Sequence, residues 1–252
     1  MPTRFYLPAS GAAEVSPAIN AAWEHQNVVR RPTSTTKSNT ANAFTSYAPD
    51  SADHIVDADA HFVQFVSSAL PAQTIAAQVV KIQAQCDENA GGNDLLLTWL
   101  IYAVNNAGDT VRGTLLAIQR DGLEVDNGAS GINRGDSGTT AEVVLQANDR
   151  LVFEIGLGGL PTQGPGTQGH NGSIRFGDAT GSTDLPEDDT DANSTKAPWL
   201  EFANALNFSF AVAAGSAVLP QGYGEHNRYG TRFQRWLLKR GSVVNDRSRR
   251  TA

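Results

Sequence analysis

Ala141-Glu-Val-Val-Leu-Gln-Ala-Asn-Asp-Arg-Leu-Val-Phe-Glu-Ile-Gly-Leu157 reads as strand, turn, strand. Ala141, Val143 and Leu145 alternate with Glu142, Val144 and Gln146, and Leu151, Phe153, Ile155 and Leu157 alternate with Val152 and Glu154. Successive side chains of a strand point to opposite faces, so a period of two sets one row against a core. Asn148-Asp149 between the two rows favours a tight hairpin turn.

The same reading extends in both directions. Gln73 to Cys86 ends with Val80, Ile82, Ala84 and Cys86 on one face and Lys81, Gln83 and Gln85 on the other. Leu95 to Val104 is the longest apolar run and has the length of one strand buried on both faces. Further strands are expected at Arg4–Leu7, closed by Pro8, and at Phe62–Ser67, Thr110–Gln119, Ser173–Phe176, Trp199–Phe202 and Leu206–Phe210. Turns are expected at Leu70-Pro71, Asn89–Asn93 and Asn105–Asp109. Ser16-Pro17 is suited to start one or two helical turns over Ala18–His25. Three glycine-rich or polar segments, 121–138, 158–169 and 178–196, read as loops. About eight to ten short strands spaced by turns indicate a β-sandwich. Connections this long favour a jelly-roll-like antiparallel sandwich over an up-and-down barrel.

Residues 30–53 are rich in Thr, Ser, Asn and Ala without an apolar period, and read as an extended arm or packed loop. The organisation expected is therefore an N-terminal arm with short elements over 1–60, a sandwich over 61–210 and a C-terminal docking tail over 211–252. The opening MPTRFYLPAS lacks the apolar stretch of a secretory signal, and no segment reaches the roughly 20 apolar residues of a membrane span. Cys86 is the only cysteine, which excludes an internal disulfide and a cysteine-built zinc site. It reads as a small core residue.

Charge divides the chain. Glu225–Ala252 holds eight Arg and Lys against two acidic residues, a net of +6, whereas residues 1–224 hold 11 basic and 24 acidic ones, a net of −13. Opposite signs attract within a chain or between neighbouring molecules. Tyr229, Phe233, Trp236, Leu237 and Leu238 interrupt the basic run, and such a cluster calls for burial. Thr231–Arg240 suits a short helix with Phe233, Trp236, Leu237 and Arg240 at three-to-four spacing. The tail thus reads as a docking element for an acidic protein, with Tyr229, Arg232, Phe233, Arg235, Trp236 and Arg240 as contacts. Nucleic acid is disfavoured as its partner because the acidic body repels phosphates.

Several ordered motifs carry a resemblance. They are Thr3–Leu7, Ser34–Lys37, Ala72–Ile75, Asp109–Leu116, Ala147–Gly156, Ile174–Asp178 and Pro198–Phe202. In this order the chain resembles the uncharacterised β-sandwich structural proteins of tailed bacteriophages and prophages, over about residues 1 to 204. The resemblance implies a virion component assembled in the host bacterial cytoplasm. With the arms it leads to the expectation of a non-enzymatic subunit, a capsid decoration or cement protein, or a neck, tail or baseplate one. Its partners would be other virion proteins and copies of itself, with Arg4, Phe5 and Tyr6 as contacts of the N-terminal arm. No cofactor and no membrane are expected. The residues from about Ala211 onward depart from the pattern.

Local motifs for chemistry are sparse. His54, Asp57, Asp59 and His61 can be drawn as a metal cluster but read better as a polar entry to a strand. The acidic segment 178–191 is a better candidate for calcium, yet Pro186 breaks it and no EF-hand spacing is present, so a solvated loop or a docking patch for basic residues is expected. Arg134-Gly-Asp136 makes a good turn and is not specific for a receptor. Gly156–Gly159 and Gly164–Gly166 precede no helix, so phosphate cradling has no support. No nucleophile elbow is present. A glycan-binding or receptor-binding module is the alternative, with Trp23, Tyr102 and Trp199 as possible platforms.

Overall fold

A computed structural model describes residues 1–27, 29–37, 43–47, 59–88, 95–125, 132–159, 172–177, 183–187 and 196–209. The chain divides into two units, Met1–Phe210 and Ala211–Ala252. The second lies outside the described residues, and with it the expected tail helix and every tail contact residue.

Regular structure among the described residues is entirely strand, in three sheets. The first sheet centres on β7 (Val79–Glu88). Along one side of β7, β14 (Trp199–Phe202) pairs with residues 80–83 and β13 (Gly172–Phe176) with residues 85–88. β1 (Thr3–Tyr6) lies outside β14, and β4 (Ala43–Tyr47) outside β13. β10 (Ile132–Thr139) runs along the other side of β7. The second sheet is ordered β5 (Asp59–Val66), β12 (Arg150–Gly159), β8 (Leu95–Val104), β9 (Val111–Arg120). Two short strands, β2 (His25–Gln26) and β3 (Arg30–Pro32), follow one another in parallel along the free side of β5. β6 (Gln73–Ile75) and β11 (Val143–Leu145) form a small third sheet.

The two large sheets pack face to face as an all-β, jelly-roll-like sandwich, antiparallel except at β2 and β3. Period two explains the core directly. Val80, Ile82, Ala84 and Cys86 of β7 face Leu151, Phe153, Ile155 and Leu157 of β12, all within one apolar cluster. Phe5 packs at 5.2 Å from Phe153 and 6.0 Å from Phe202, so β1 helps to close the core. β8 is buried along its whole length, because its second face is covered by chain from the N-terminal segment.

Several expectations change. Ala18–His25 forms no helix: its backbone is committed to the surface of the second sheet, as described below. Asn148 does adopt a turn with φ 71°, but β11 and β12 on either side of it join different sheets, so no hairpin forms. Gln73–Cys86 likewise splits into β6 and β7. Residues 132–138, expected in a loop, belong to the edge strand β10, whose glycines let neighbouring side chains approach. A Cβ on Gly135 would lie 2.0 Å from Gln83 Nε2. Leu206–Ser209 is irregular rather than a strand. The N-terminal segment belongs to both large sheets through β1, β2 and β3.

Candidate docking surface

β1 alternates in burial, so Phe5 points inward while Arg4 and Tyr6 lie on the outer face of the first sheet. Phe5 is 1% exposed and is a core residue packed on Phe153 and Phe202, not a surface contact of the arm. Arg4 Nε donates to Glu201 Oε2 at 2.9 Å, and its Nη1 lies 2.5 Å from Asp184 Oδ2. Its guanidinium also stacks 3.9 Å above the Trp199 ring. Tyr6 Oη lies 3.4 Å from the same Asp184 oxygen, and Lys37 Nζ is 2.9 Å from Asp184 Oδ1. Trp199 Nε1 donates to the Leu185 carbonyl at 2.8 Å, which holds the 183–187 segment over the indole. Burial opposes the charge of Arg4, but Glu201 and Asp184 outweigh it and raise its pKa. Burial likewise opposes ionisation of Asp184, and Lys37 and Arg4 outweigh it and lower its pKa.

Part of the acidic segment therefore binds basic residues of its own chain. Lys81 Nζ to Glu187 Oε2, at 2.5 Å, repeats the arrangement. Arg4 and Tyr6 are engaged in these internal contacts, while Tyr229, Arg232, Phe233, Arg235, Trp236 and Arg240 lie outside the described residues.

On the outer face of the second sheet, residues 14–27 form a strap over β12 and β8. Ile19 and Trp23 cover Leu100, Tyr102, Val104 and Val152. Glu154, in the outward row of β12, has no exposed surface and gathers the polar groups beneath the strap. It accepts from Trp23 Nε1 at 2.6 Å, Gln64 Nε2 at 2.9 Å and the Asn20 amide at 3.1 Å. Tyr102 Oη lies 2.7 Å from Glu154 Oε1 and 2.8 Å from the Ala18 carbonyl. One hydroxyl proton cannot serve both acceptors, so the network has room for a second proton on Glu154. Burial raises the Glu154 pKa, which agrees. Arg30 completes the strap by donating to the Pro17 carbonyl at 2.8 Å.

Sequence reading missed this network. The signal was a glutamate facing outward beside Val152 on a strand with apolar neighbours; its partners come from positions far apart in the chain. The same burial removes the glycan platforms: Trp23, Tyr102 and Trp199 are each at most 2% exposed.

The remaining motifs are structural. Arg134 and Asp136 are strand residues of β10 rather than a loop tip. Arg134 Nε donates to buried Asp121 at 2.9 Å, and Asp136 accepts from Trp99 Nε1 and Gln119 Nε2, both at 2.7 Å. His61 is buried with Nδ1 2.8 Å from the Asn27 carbonyl, and Asp59 pairs with Arg120 at 2.8 Å; His54 and Asp57 lie outside the described residues. Among the described residues no group of three or more His, Cys, Asp or Glu could hold a metal. Cys86 is fully buried, which pushes its thiol pKa up. No helix among the described residues is long and apolar enough to cross a membrane.

The class that this architecture defines is the all-β sandwich. No protein-family model matches the chain, and no curated protein matches it in sequence. Among solved structures it is similar to a CocE/NonD family hydrolase from Staphylococcus aureus, with a TM-score of 0.45 and 11% identity over 80% of this chain and 36% of that one. An alpha-amino acid ester hydrolase stands at the same TM-score of 0.45 and 11% identity, over 79% and 36% of the two chains. The infectious bursal disease virus VP2 subviral particle is similar at a TM-score of 0.23 and 14% identity, over 80% and 46%. The chain spans 36% of the length of each of these hydrolases. On this finding the expectation of a protein without enzymatic activity is withdrawn. Likenesses of this size assign no activity in its place.

Proposed function

We propose that the chain is a structural subunit of a tailed-phage virion, either a capsid decoration or cement protein or a neck- or tail-associated one. It assembles in the host bacterial cytoplasm and docks onto neighbouring virion proteins. The observation that carries this reading is the charge division between residues 1–224, at −13, and Glu225–Ala252, at +6, with aromatic residues interleaved in the basic part. A solvated tail has no use for Trp236, Leu237 and Leu238, whereas an acidic protein surface buries them and pairs the arginines around them. The body supports the same reading in a second way. Arg4, Lys37 and Lys81 are neutralised by Asp184, Glu201 and Glu187, so β1 and the acidic segment satisfy each other within the chain. Docking to others falls to the tail. The ordered motifs over residues 1 to 204 supply the virion context.

Co-sedimentation of the purified chain with isolated virions tests this. The full chain is expected to pellet with particles at low salt and to be released as salt screens the contact. Truncation after Gly224 is expected to abolish pelleting. A truncated chain that still pellets, with no salt sensitivity, overturns the reading.

A further inference from the structure

We propose that residues 14–27 are a proton-controlled cover over the outer face of the second sheet: a proton bound at His61 lifts the strap, and a proton bound at Glu154 holds it down. The strap is separable from the core. The apolar cluster that it closes, Trp23 with Leu100, Tyr102, Val104 and Val152, is distinct from the main cluster between the sheets. Beyond the two residues of β2, its amides are fastened to the sheet one at a time. The Asn20 amide donates to Glu154 at 3.1 Å, the Glu24 amide to the Asp59 carbonyl at 3.1 Å and the Asn27 amide to the His61 carbonyl at 3.3 Å. An element held in this way can open while the sandwich stays folded.

Proton counting at Glu154 explains what holds the strap down. Tyr102 Oη lies 2.7 Å from Glu154 Oε1, 2.8 Å from the Ala18 carbonyl and 3.0 Å from Gln64 Nε2. Gln64 Nε2 can only donate, so the hydroxyl has one proton for two oxygens. When Glu154 is ionised, the carboxylate is the stronger acceptor and draws that proton. The Ala18 carbonyl of the strap then keeps only Gln64 Nε2, at 3.4 Å. When Glu154 is protonated, it donates to Tyr102, and Tyr102 donates to Ala18. Both short contacts are then hydrogen bonds, and one of them fastens the strap. Burial favours this neutral form.

His61 works the other way. Its ring has no exposed surface and packs on Trp23, with 5.5 Å between ring centroids. Nδ1 lies 2.8 Å from the Asn27 carbonyl, so the neutral ring carries its proton there and bonds the end of the strap. Among the described residues Nε2 is buried without a hydrogen-bond partner. A second proton places an unpaired N–H and a charge beneath the strap, where Arg30 of β3 opposes it. The acids of the neighbouring elements are engaged or wet. Asp59, the only acid of β5, pairs with Arg120 of β9; Glu14 of the strap pairs with Arg150 of β12; Glu24 is exposed; and Glu154 in its neutral form carries no charge. Burial outweighs the backbone contacts of Asn27 and Val63, and the His61 pKa falls from 6.5 to about 4. Lifting the strap wets the ring and returns it toward 6.5. Opening therefore takes up a proton at His61 and releases one at Glu154.

Hydrogen exchange of the full chain, read by mass spectrometry over residues 14–27 and corrected for the intrinsic rate, tests this between about pH 4.5 and about pH 8.5. Opening that takes up one proton becomes about tenfold easier per pH unit of acid. Glu154→Gln fixes the network in its neutral form. In this variant strap protection is expected to fall at least about tenfold as pH drops from 6.5 to about 4.5, while β8 and β12 keep theirs. In His61→Gln strap protection is expected to rise as pH drops. The double variant is expected to lose both slopes, and His25→Gln, which changes the imidazole of the strap itself, leaves the parent profile in place. Flat profiles in both single variants overturn the inference. So does a slope that survives in the double variant, or loss of protection in β8 in step with the strap. The parent chain supplies a check that needs no variant, through the histidine ring resonances in a nuclear magnetic resonance titration. At least one of the five rings is expected to stay neutral to below about pH 5, and five rings titrating near 6.5 overturn the inference.

Discussion

Glu154 and His61 are buried titratable groups under the strap, and burial shifts them in opposite directions. Glu154 receives donors from three parts of the chain, the strap, β5 and β8, so removing its acceptors strands buried donors. Glu154→Leu leaves the indole of Trp23 and the Asn20 amide without their acceptor, at about 1–3 kcal/mol for each buried group, while the Gln64 amide keeps the Tyr102 hydroxyl. Glu154→Gln keeps acceptor and donor capacity and costs less. Urea denaturation of the two variants, followed by Trp fluorescence, is expected to rank them in that order; equal losses contradict the network. Burial lowers the His61 pKa from 6.5 to about 4. The folded state therefore binds fewer protons at His61 than the unfolded state between those values, and stability falls as pH drops through them, by up to ~1.4 kcal/mol per pH unit. Glu154, raised by burial, contributes stability that is present at low pH and lost as pH rises. His61→Gln retains a donor for the Asn27 carbonyl and removes the ring titration. The variant should lose less stability than the parent between pH 6.5 and 4. Parallel losses would show that His61 does not contribute.

At the level of elements, a repeat of two was legible wherever one face of a strand meets the core, as in β7 and β12, and the continuous run of β8 declared burial on both faces. What was not legible was pairing. The turn at Asn148 is local chemistry, but whether it closes a hairpin depends on which sheets have an open edge for β11 and β12. β10 escaped notice because Gly135, Gly138 and a row of polar residues lack any strand pattern. It becomes a strand because Asp121, Trp99 and Gln119 satisfy Arg134 and Asp136 from the facing sheet. The register between β12 and β5 shifts at Ile155/Gly156, and there the backbones approach so closely that a Cβ on Gly156 would lie 1.9 Å from the Ala60 carbonyl oxygen. Gly156→Ala must push β5 and β12 apart in the middle of the second sheet. A loss of at least ~2 kcal/mol is expected, within the range of overpacked core substitutions, and thermal unfolding measures it. An unchanged midpoint would mean that the irregularity absorbs the methyl group.

For the whole molecule, the N-terminal segment ties the two sheets together. β1 is the edge of the first sheet; the strap covers the second; and Tyr6 and Ser34 exchange backbone hydrogen bonds of 2.7 and 3.2 Å where the segment returns. Deleting residues 1–9 removes Phe5 and Leu7 from the core, at about 2–5 kcal/mol for each large side chain, and Arg4 from the Asp184–Glu201 cluster. Domains of this size hold ~5–15 kcal/mol in all, so the deletion is expected to abolish cooperative unfolding. A sharp thermal transition in the shortened chain would assign the segment a peripheral role. Sequence by itself determined the all-β class, the inward rows of the long strands and the opposite signs of body and tail, because periodicity and charge are properties of the chain in order. Tertiary structure alone decided that Phe5 is core, that Trp23, Tyr102 and Trp199 are covered and that the Arg134 motif is structural. Burial and pairing depend on which distant segments meet, and the order of residues does not state it.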